Sequence, residues 1–213
     1  MQSAFAPYHS LAERLLPYAG ETDGDGSHDI SHLQRVWRNA ARIQSEEGGD
    51  AEILLAAALL HDCVAVEKNS SMRSQASRLS AAKASGHLAK LGWCAGRVAA
   101  AAHAIEAHSF SAGIEPTSLE AKILQDADRL DAIGMVGVAR CFYIAGRLGS
   151  ALYDAIDPLA QERPYDDKRY AIDHFQTKLL KLSSGFQTAS GTRLAQERHQ
   201  RLERFLAEFK SEI

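Results

Sequence analysis

Nowhere in these 213 residues do apolar and polar side chains alternate for the length of a strand. A half-buried strand needs that period of two, so a sheet has no face to grow from. The recurring signal is helical. Ala, Leu, Arg, Glu and Gln are abundant and β-branched Val and Thr are sparse, which keeps β-propensity low almost everywhere. The expectation is an all-α chain: a helical bundle with a long loop excursion and C-terminal helices.

The breaks between helices are legible from turn and cap residues. Glu21-Thr-Asp-Gly-Asp-Gly26 reads as a loop, after which Ser27 or Asp29 can cap a helix running through His32 and Ile43. Glu46-Glu-Gly-Gly49 ends it, and Asp50 caps a second helix from Ala51 to about His61. A polar loop, Glu67 to Ser74, precedes an Ala-rich helix reaching Gly86 or Leu91, and another helix covers Arg97 to His108. Pro116 and a capping box, Thr117-x-x-Glu120, open a helix through Asp131. Gly149, Pro158 and Pro164 mark Arg147 to Lys168 as an excursion with little regular structure, and long loops in compact domains are often functional. Helical pattern returns at Asp173, and Thr192 to Glu212 reads as a final amphipathic helix. The length suits one helical domain over residues 1–213, with a core at about 27–146 and the excursion and C-terminal extension at about 147–213.

Composition excludes several roles. The net charge is −3 and the basic residues are scattered, whereas non-specific nucleic-acid binding needs a dense cationic face. A small anionic partner stays open, because a metal and a few cations can reverse the local field. Cys63, Cys94 and Cys141 are odd in number and form no CxxC pair, which disfavours a disulfide framework and fits a reducing cytoplasm. The N-terminus MQSAFAPYHSLAERL does not have the pattern of a signal peptide. The most apolar run, Ile53 to Leu60, is too short to cross a bilayer, so no membrane role is expected.

That run leads directly into His61-Asp62. An apolar helix that ends in two ionisable groups must find them a partner, because buried ionisable groups have to be paired or bound to metal. Imidazole and carboxylate together suit Mn²⁺, Co²⁺, Ni²⁺, Fe²⁺ or Zn²⁺. Two further segments offer donors. His28, His32 and Arg35 share one face of the preceding helix, although a solvated polar face would read the same way. In Gln125-Asp-Ala-Asp-Arg-Leu-Asp131, three carboxylates sit among Ile123, Leu124, Leu130 and Ile133, and such acids raise one another's pKa unless a cation compensates. Asp126 lies about 200° around the helix from Asp128, and Asp131 about 60°.

The sequence of these elements, His32, His61-Asp62 and Asp128, resembles the HD-domain superfamily of metal-dependent phosphohydrolases. The blocks SHDISHLQRV, AALLHD, HAIEAHSFS, LEAKILQDADRLDAIG and DHFQTKLLKL resemble in particular the small bacterial YedJ-like and YpgQ-like HD hydrolases, from about Ser27 to Leu182. The resemblance implies an all-α HD bundle with one divalent metal, Mn²⁺, Mg²⁺, Co²⁺, Ni²⁺, Fe²⁺ or Zn²⁺, held by His32, His61, Asp62 and Asp128. It also implies hydrolysis of a phosphate ester or anhydride, most often in a nucleotide. Asp62 is then placed to hold or deprotonate the attacking water. Arg35, Lys68 and Arg129, neighbours of motif residues, are candidate phosphate-binding cations, with Arg129 also acting in catalysis. Asp131 is expected to orient a neighbour, and Asp126 to cap or pair with another helix.

One departure is visible. Some nucleotidase-type relatives carry a Glu three residues after the Asp of the motif, where this chain has Ala65, and Glu67 lies two residues later. A general acid is then sought in His103 or His108, with the surrounding block favouring His108. Two other readings compete. A dinuclear HD enzyme, an oxygenase or a phosphodiesterase, would need extra histidines such as His87 and His108. A non-catalytic nucleotide-binding module would keep the fold alone.

Overall fold

The computed structural model describes residues 2–20, 29–66, 73–109 and 112–213. Among these the architecture is nine α-helices, and the sole strand-like feature is an isolated parallel bridge between Ala151 and Tyr170. The chain is all-α. It divides into two compact units, Met1–Asp128 with Gln187–Gly191, and Arg129–Phe186 with Thr192–Ile213.

The first unit contains α1 (His9–Leu15), α2 (Ile30–Glu47), α3 (Ala51–Leu60), α4 (Ala76–Lys90), α5 (Ala95–Ala107) and α6 (Leu119–Asp131) as far as Asp128. Helix α3 is apolar on every side, and Ile53 through Leu60 are all buried. A helix without a polar face must be surrounded. Helices α1, α2, α4 and α5 all pack on it. Leu54, Leu55, Leu59 and Leu60 expose no surface, and burying each such side chain contributes roughly 1.5–3 kcal/mol. Helix α2 turns an apolar stripe inward at Leu33, Val36, Trp37, Ala40 and Ile43.

Caps set the ends of these helices. Asp29 accepts the N–H groups of Ser31 and His32 at 3.0 and 3.2 Å, so Asp29 starts α2; Ser27, the other expected cap, lies outside the described residues. Gly48, at φ +86°, closes α2 with its N–H on the Gln44 carbonyl. Asp50 then caps α3 through the N–H groups of Glu52 and Ile53. The expected capping box at Thr117 is not the one used. Ser118 Oγ accepts the Ala121 N–H at 3.1 Å, Thr117 turns to His103 Nε2, and Glu120 accepts the Asp50 N–H at 2.9 Å. The cap lies one residue later because Thr117 and Glu120 have these other partners.

Asp126, only 1% exposed, seats the segment that opens α9 (Ala189–Ser211). Its carboxylate accepts the Gln187 N–H at 2.8 Å, the Thr188 N–H at 2.9 Å and the Thr188 hydroxyl at 2.7 Å. Gly191 lies so close that a Cβ there would collide with Asp126 Oδ2 and Thr188 Oγ1.

The second unit contains the end of α6, α7 (Gly134–Leu148), α8 (Asp173–Thr177) and α9 from Thr192 onward. Phe142, Phe175, Phe205 and Phe209 form its aromatic core, with neighbouring centroids 5.5–6.1 Å apart. Residues 149–172 have little regular structure, as expected, but are tightly tied. Asp154, Asp157 and Asp166 each accept backbone N–H groups of the loop. Arg163 makes a two-point contact with the buried Asp173, at 2.5 and 3.0 Å, and lies 4.4 Å from the Tyr170 ring centroid. Asp131 holds Arg140 at 2.8 Å.

Candidate metal centre

The donors in the first unit come from the ends of four helices. His32 lies in the first turn of α2, tied by its own N–H to the Asp29 cap. His61 is the C-cap of α3 and Asp62 follows it. His108 is the C-cap of α5. Asp128 lies in the last turn of α6. The C-terminal ends of α3 and α5 present partial negative charge, which favours a cation beside them.

His61 Nε2 is the hub. It lies 3.2 Å from His32 Nε2, 3.5 Å from Asp62 Oδ2 and 3.8 Å from Asp128 Oδ1. His32 Nε2 is 3.6 Å from Asp128 Oδ1, and His108 Nε2 is 3.7 Å from Asp62 Oδ1. Two groups of three donors result among the described residues, His32–His61–Asp128 and His61–Asp62–His108. The four residues expected from the sequence therefore do not form one tight cluster: Asp62 joins His61 on the side of His108.

The rings and the carboxylates differ in access. The imidazoles of His32, His61 and His108 are buried, whereas the Asp62 and Asp128 side chains are 46% and 31% exposed. The site is thus walled by imidazole and open at its acids. Burial pushes the His108 imidazole below its ordinary value; His61 adds to that, while Asp62 and Asp128 oppose it.

The residues fit a divalent ion. His61 Nδ1 lies 2.9 Å from the Ala58 carbonyl. A carbonyl only accepts, so Nδ1 carries a proton and Nε2 is the ring nitrogen turned to the hub, where the lone pair of the neutral tautomer suits a metal. At 3.2 Å from His32 Nε2 this matches two nitrogens on one ion: with bonds of about 2.1 Å, neighbouring ligands fall roughly 3.0–3.4 Å apart.

Contacts around the motif hold its turn. Lys83 Nζ donates to the Cys63 carbonyl at 2.9 Å, and Ser80 Oγ accepts the Val64 N–H at 3.2 Å. Gly20, at φ +99°, approaches the same backbone, where a Cβ would come within 3.3 Å of Cys63 Cα. Sequence reasoning missed these supports; the Ser and Lys four and seven residues into α4 carry no signal of their own.

Other expected residues are placed as follows. Arg35 donates to Ser31 Oγ at 2.7 Å, one turn back on α2. Lys68, Glu67 and His28 lie outside the described residues. In the second unit, Arg129 Nε donates to the Leu182 carbonyl at 3.0 Å, with its guanidinium 5.5 Å from the Phe186 ring centroid. His103 accepts the Thr117 N–H at 3.1 Å and belongs to neither donor group. His87 stacks on Tyr18 at 4.1 Å and is also in neither group.

A buried helix ending in His-Asp, joined by a histidine upstream and an aspartate downstream, defines the HD domain. That family matches residues 29–133, and the chain belongs to it. It is 35% identical over 196 residues to the YpgQ protein of Bacillus subtilis, spanning 90% of this chain and 87% of that one. The crystal structure of B. subtilis YpgQ in complex with ADP is similar at a TM-score of 0.73 and 32% identity, covering 95% of this chain and 97% of that one. An HD-superfamily hydrolase from Bacillus thuringiensis is similar at a TM-score of 0.72 and 33% identity, covering 95% and 96%. No helix among the described residues is long and apolar enough to cross a membrane.

Proposed function

We propose that this HD-domain protein is a metal-dependent phosphohydrolase that cleaves a phosphate ester or phosphoanhydride in a small anionic substrate, with a nucleotide as the favoured class. The observation that carries the reading is the hub at His61 Nε2, which has an imidazole nitrogen and two carboxylate oxygens within 3.2–3.8 Å, with the acids left open to solvent. The ADP bound by the YpgQ relative supports the choice of a nucleotide.

His32, His61, Asp62 and Asp128 would hold the ion. When bound, it supplies Lewis acidity toward a phosphoryl oxygen and makes water a better nucleophile near neutral pH. The chain supplies the rest. The exposed Asp62 carboxylate is the base that orients and accepts a proton from the attacking water. The Nδ1–H of His61, donated to the Ala58 carbonyl, keeps its ring from turning and leaves Nε2 as the nitrogen that faces the hub. Arg35, one turn along α2 from His32, and Arg129, next in sequence to Asp128, supply positive charge for a phosphate. Lys68 remains a third candidate for that role. A cytoplasmic setting fits the free thiols.

The test is a panel of phosphomonoesters, nucleotides and cyclic nucleotides, run with Mn²⁺, Mg²⁺, Co²⁺ or Ni²⁺ and followed by phosphorus NMR. Metal-dependent release of phosphate or pyrophosphate, abolished by EDTA and by Asp128→Asn, is the expected outcome. Full turnover by rigorously metal-free protein would remove this mechanism, and metal-loaded protein that binds a nucleotide without cleaving anything in the panel would make it a binding module.

A further inference from the structure

Asp62 presents its carboxylate to His61 from the first position beyond the C-cap of α3, and its side chain is 46% exposed. Close packing cannot alone fix a side chain with that much surface, so the backbone around it sets its reach. That backbone is pinned one peptide at a time. The Cys63 N–H donates to the Leu60 carbonyl at 3.2 Å, which fixes the peptide between Asp62 and Cys63. The next peptide is held at both ends from α4. Its carbonyl, on Cys63, accepts Lys83 Nζ at 2.9 Å, and its N–H, on Val64, donates to Ser80 Oγ at 3.2 Å. Gly20 backs the same stretch, where a Cβ would come within 3.3 Å of the Cys63 carbonyl oxygen and 3.5 Å of the Asp62 one.

Ser80 and Lys83 are three residues apart on α4 and so neighbours on its surface, yet they differ in exposure. Ser80 is 1% exposed and is buried by the packing of α4. Lys83 is exposed. Holding an exposed lysine on one carbonyl costs side-chain entropy. The return is a charge-assisted hydrogen bond, at the C-terminal end of α3, where a cation is favoured. Resting on the reading of Asp62 as ligand and base, we propose that Lys83 is a positioning residue for the metal centre: its ammonium locks the peptide that follows Cys63 and thereby the reach of the Asp62 carboxylate. It acts through Asp62 and touches neither ion nor substrate.

The test is Co²⁺ binding by calorimetry and d–d absorption, in Lys83→Met, Lys83→Arg, Asp62→Asn and the double variant Lys83→Met with Asp62→Asn. Met keeps the unbranched stem and the helix propensity and removes the charge. Lys83→Met is expected to lower Co²⁺ affinity about tenfold, the scale of losing a group that orients a ligand, and to change the spectrum. Lys83→Arg, which can still donate to the carbonyl, is expected to restore most of both. In the Asp62→Asn background the same Met substitution is expected to cost nothing further, because coupled residues are non-additive. Unchanged Co²⁺ affinity and spectrum in Lys83→Met would overturn the proposal, as would a loss that Arg does not restore. Equal losses in both backgrounds would mark a purely structural lysine. A raised KM for the phosphate substrate with Co²⁺ binding intact would place Lys83 on the substrate instead. Asp62→Asn protein that binds Co²⁺ as tightly as wild type would remove the reading of Asp62 itself, an outcome distinct from these.

Discussion

Replacing Asp126 and Asp128 by Asn, one at a time, separates a fold-bearing carboxylate from a metal-bearing one on the same helix. Asp126 is 1% exposed and receives two backbone N–H groups and one hydroxyl from Gln187 and Thr188. Asn offers one carbonyl oxygen where the carboxylate offered two. Whichever way the amide is turned, its NH₂ faces at least one backbone N–H. The loss is one charge-assisted hydrogen bond, about 1.5–3 kcal/mol, and part of the 1–3 kcal/mol penalty for leaving a buried donor unsatisfied. A destabilisation of about 2–4 kcal/mol follows, which for a chain of this size lowers the melting temperature by roughly 5–15 °C. Asp128, with its side chain 31% exposed, faces His32 and His61. Its Asn variant should melt within a few degrees of wild type when metal-free, yet retain little metal after dialysis. The assay is differential scanning calorimetry in EDTA, paired with elemental analysis of Co²⁺-loaded, dialysed protein. Metal loss in Asp126→Asn at an unchanged melting temperature, with Asp128→Asn still loaded, would refute the assignment of α6.

Asp62→Asn should lower both Co²⁺ retention and the turnover of whichever phosphate substrate the panel identifies, and EDTA should abolish that turnover; a variant with full metal content and full rate would exclude Asp62 as ligand and base. Gly191→Ala should cost about 1–3 kcal/mol, the usual penalty for overpacking, because its Cβ would collide with Asp126 and Thr188; an unchanged melting curve would contradict that crowding. The Tyr170 hydroxyl, followed by the N–H groups of Asp157 and Ile156, holds the Asp154 carboxyl down at about 2. A folded-state value below the unfolded one means this contribution is complete above the ordinary carboxylate range and is lost as pH falls toward 2. Tyr170→Phe should therefore move the Asp154 titration upward in carboxyl-carbon NMR, and no movement would refute the attribution.

Periodicity and caps made most of the helices legible, because Asp29, Asp50 and the Gly48-Gly49 pair act through contacts two to four residues away. The order of chemistry-bearing residues was also legible, since His-Asp at the end of an apolar helix is a physical anomaly wherever it occurs. The missing information was long-range. Thr117 and Ser118 are equivalent as caps in a sequence window, and the choice was made by His103, fourteen residues upstream. The excursion at 149–172 read as irregular, and it is, but its order depends on Arg163 finding Asp173 and Tyr170 finding Asp154, pairings no local pattern announces. The grouping of Asp62 with His108 depends on α3 and α5 lying side by side, which spacing along the chain does not encode.

Hydrophobic packing alone does not explain how four helix ends bring their donors together around His61, because burial is non-directional and tolerates sliding. Two buried amides add direction. Asn39 on α2 donates to the Ala127 carbonyl at 3.0 Å, and Gln125 on α6 donates to the Ala107 carbonyl at 2.8 Å. Each acceptor adjoins a donor residue, Ala127 beside Asp128 and Ala107 beside His108. A shift of α6 along either neighbour would strand a buried amide, at about 1–3 kcal/mol, so the penalty for misregister falls next to the donors themselves. Asn39→Leu tests this. An apolar side chain of similar volume removes the directional bond while preserving burial, which should leave stability within about 1–2 kcal/mol of wild type. With α6 freer to slide, Co²⁺ affinity should fall and the Co²⁺ spectrum should broaden. A variant that binds Co²⁺ as tightly as wild type would show that apolar packing sets the register unaided.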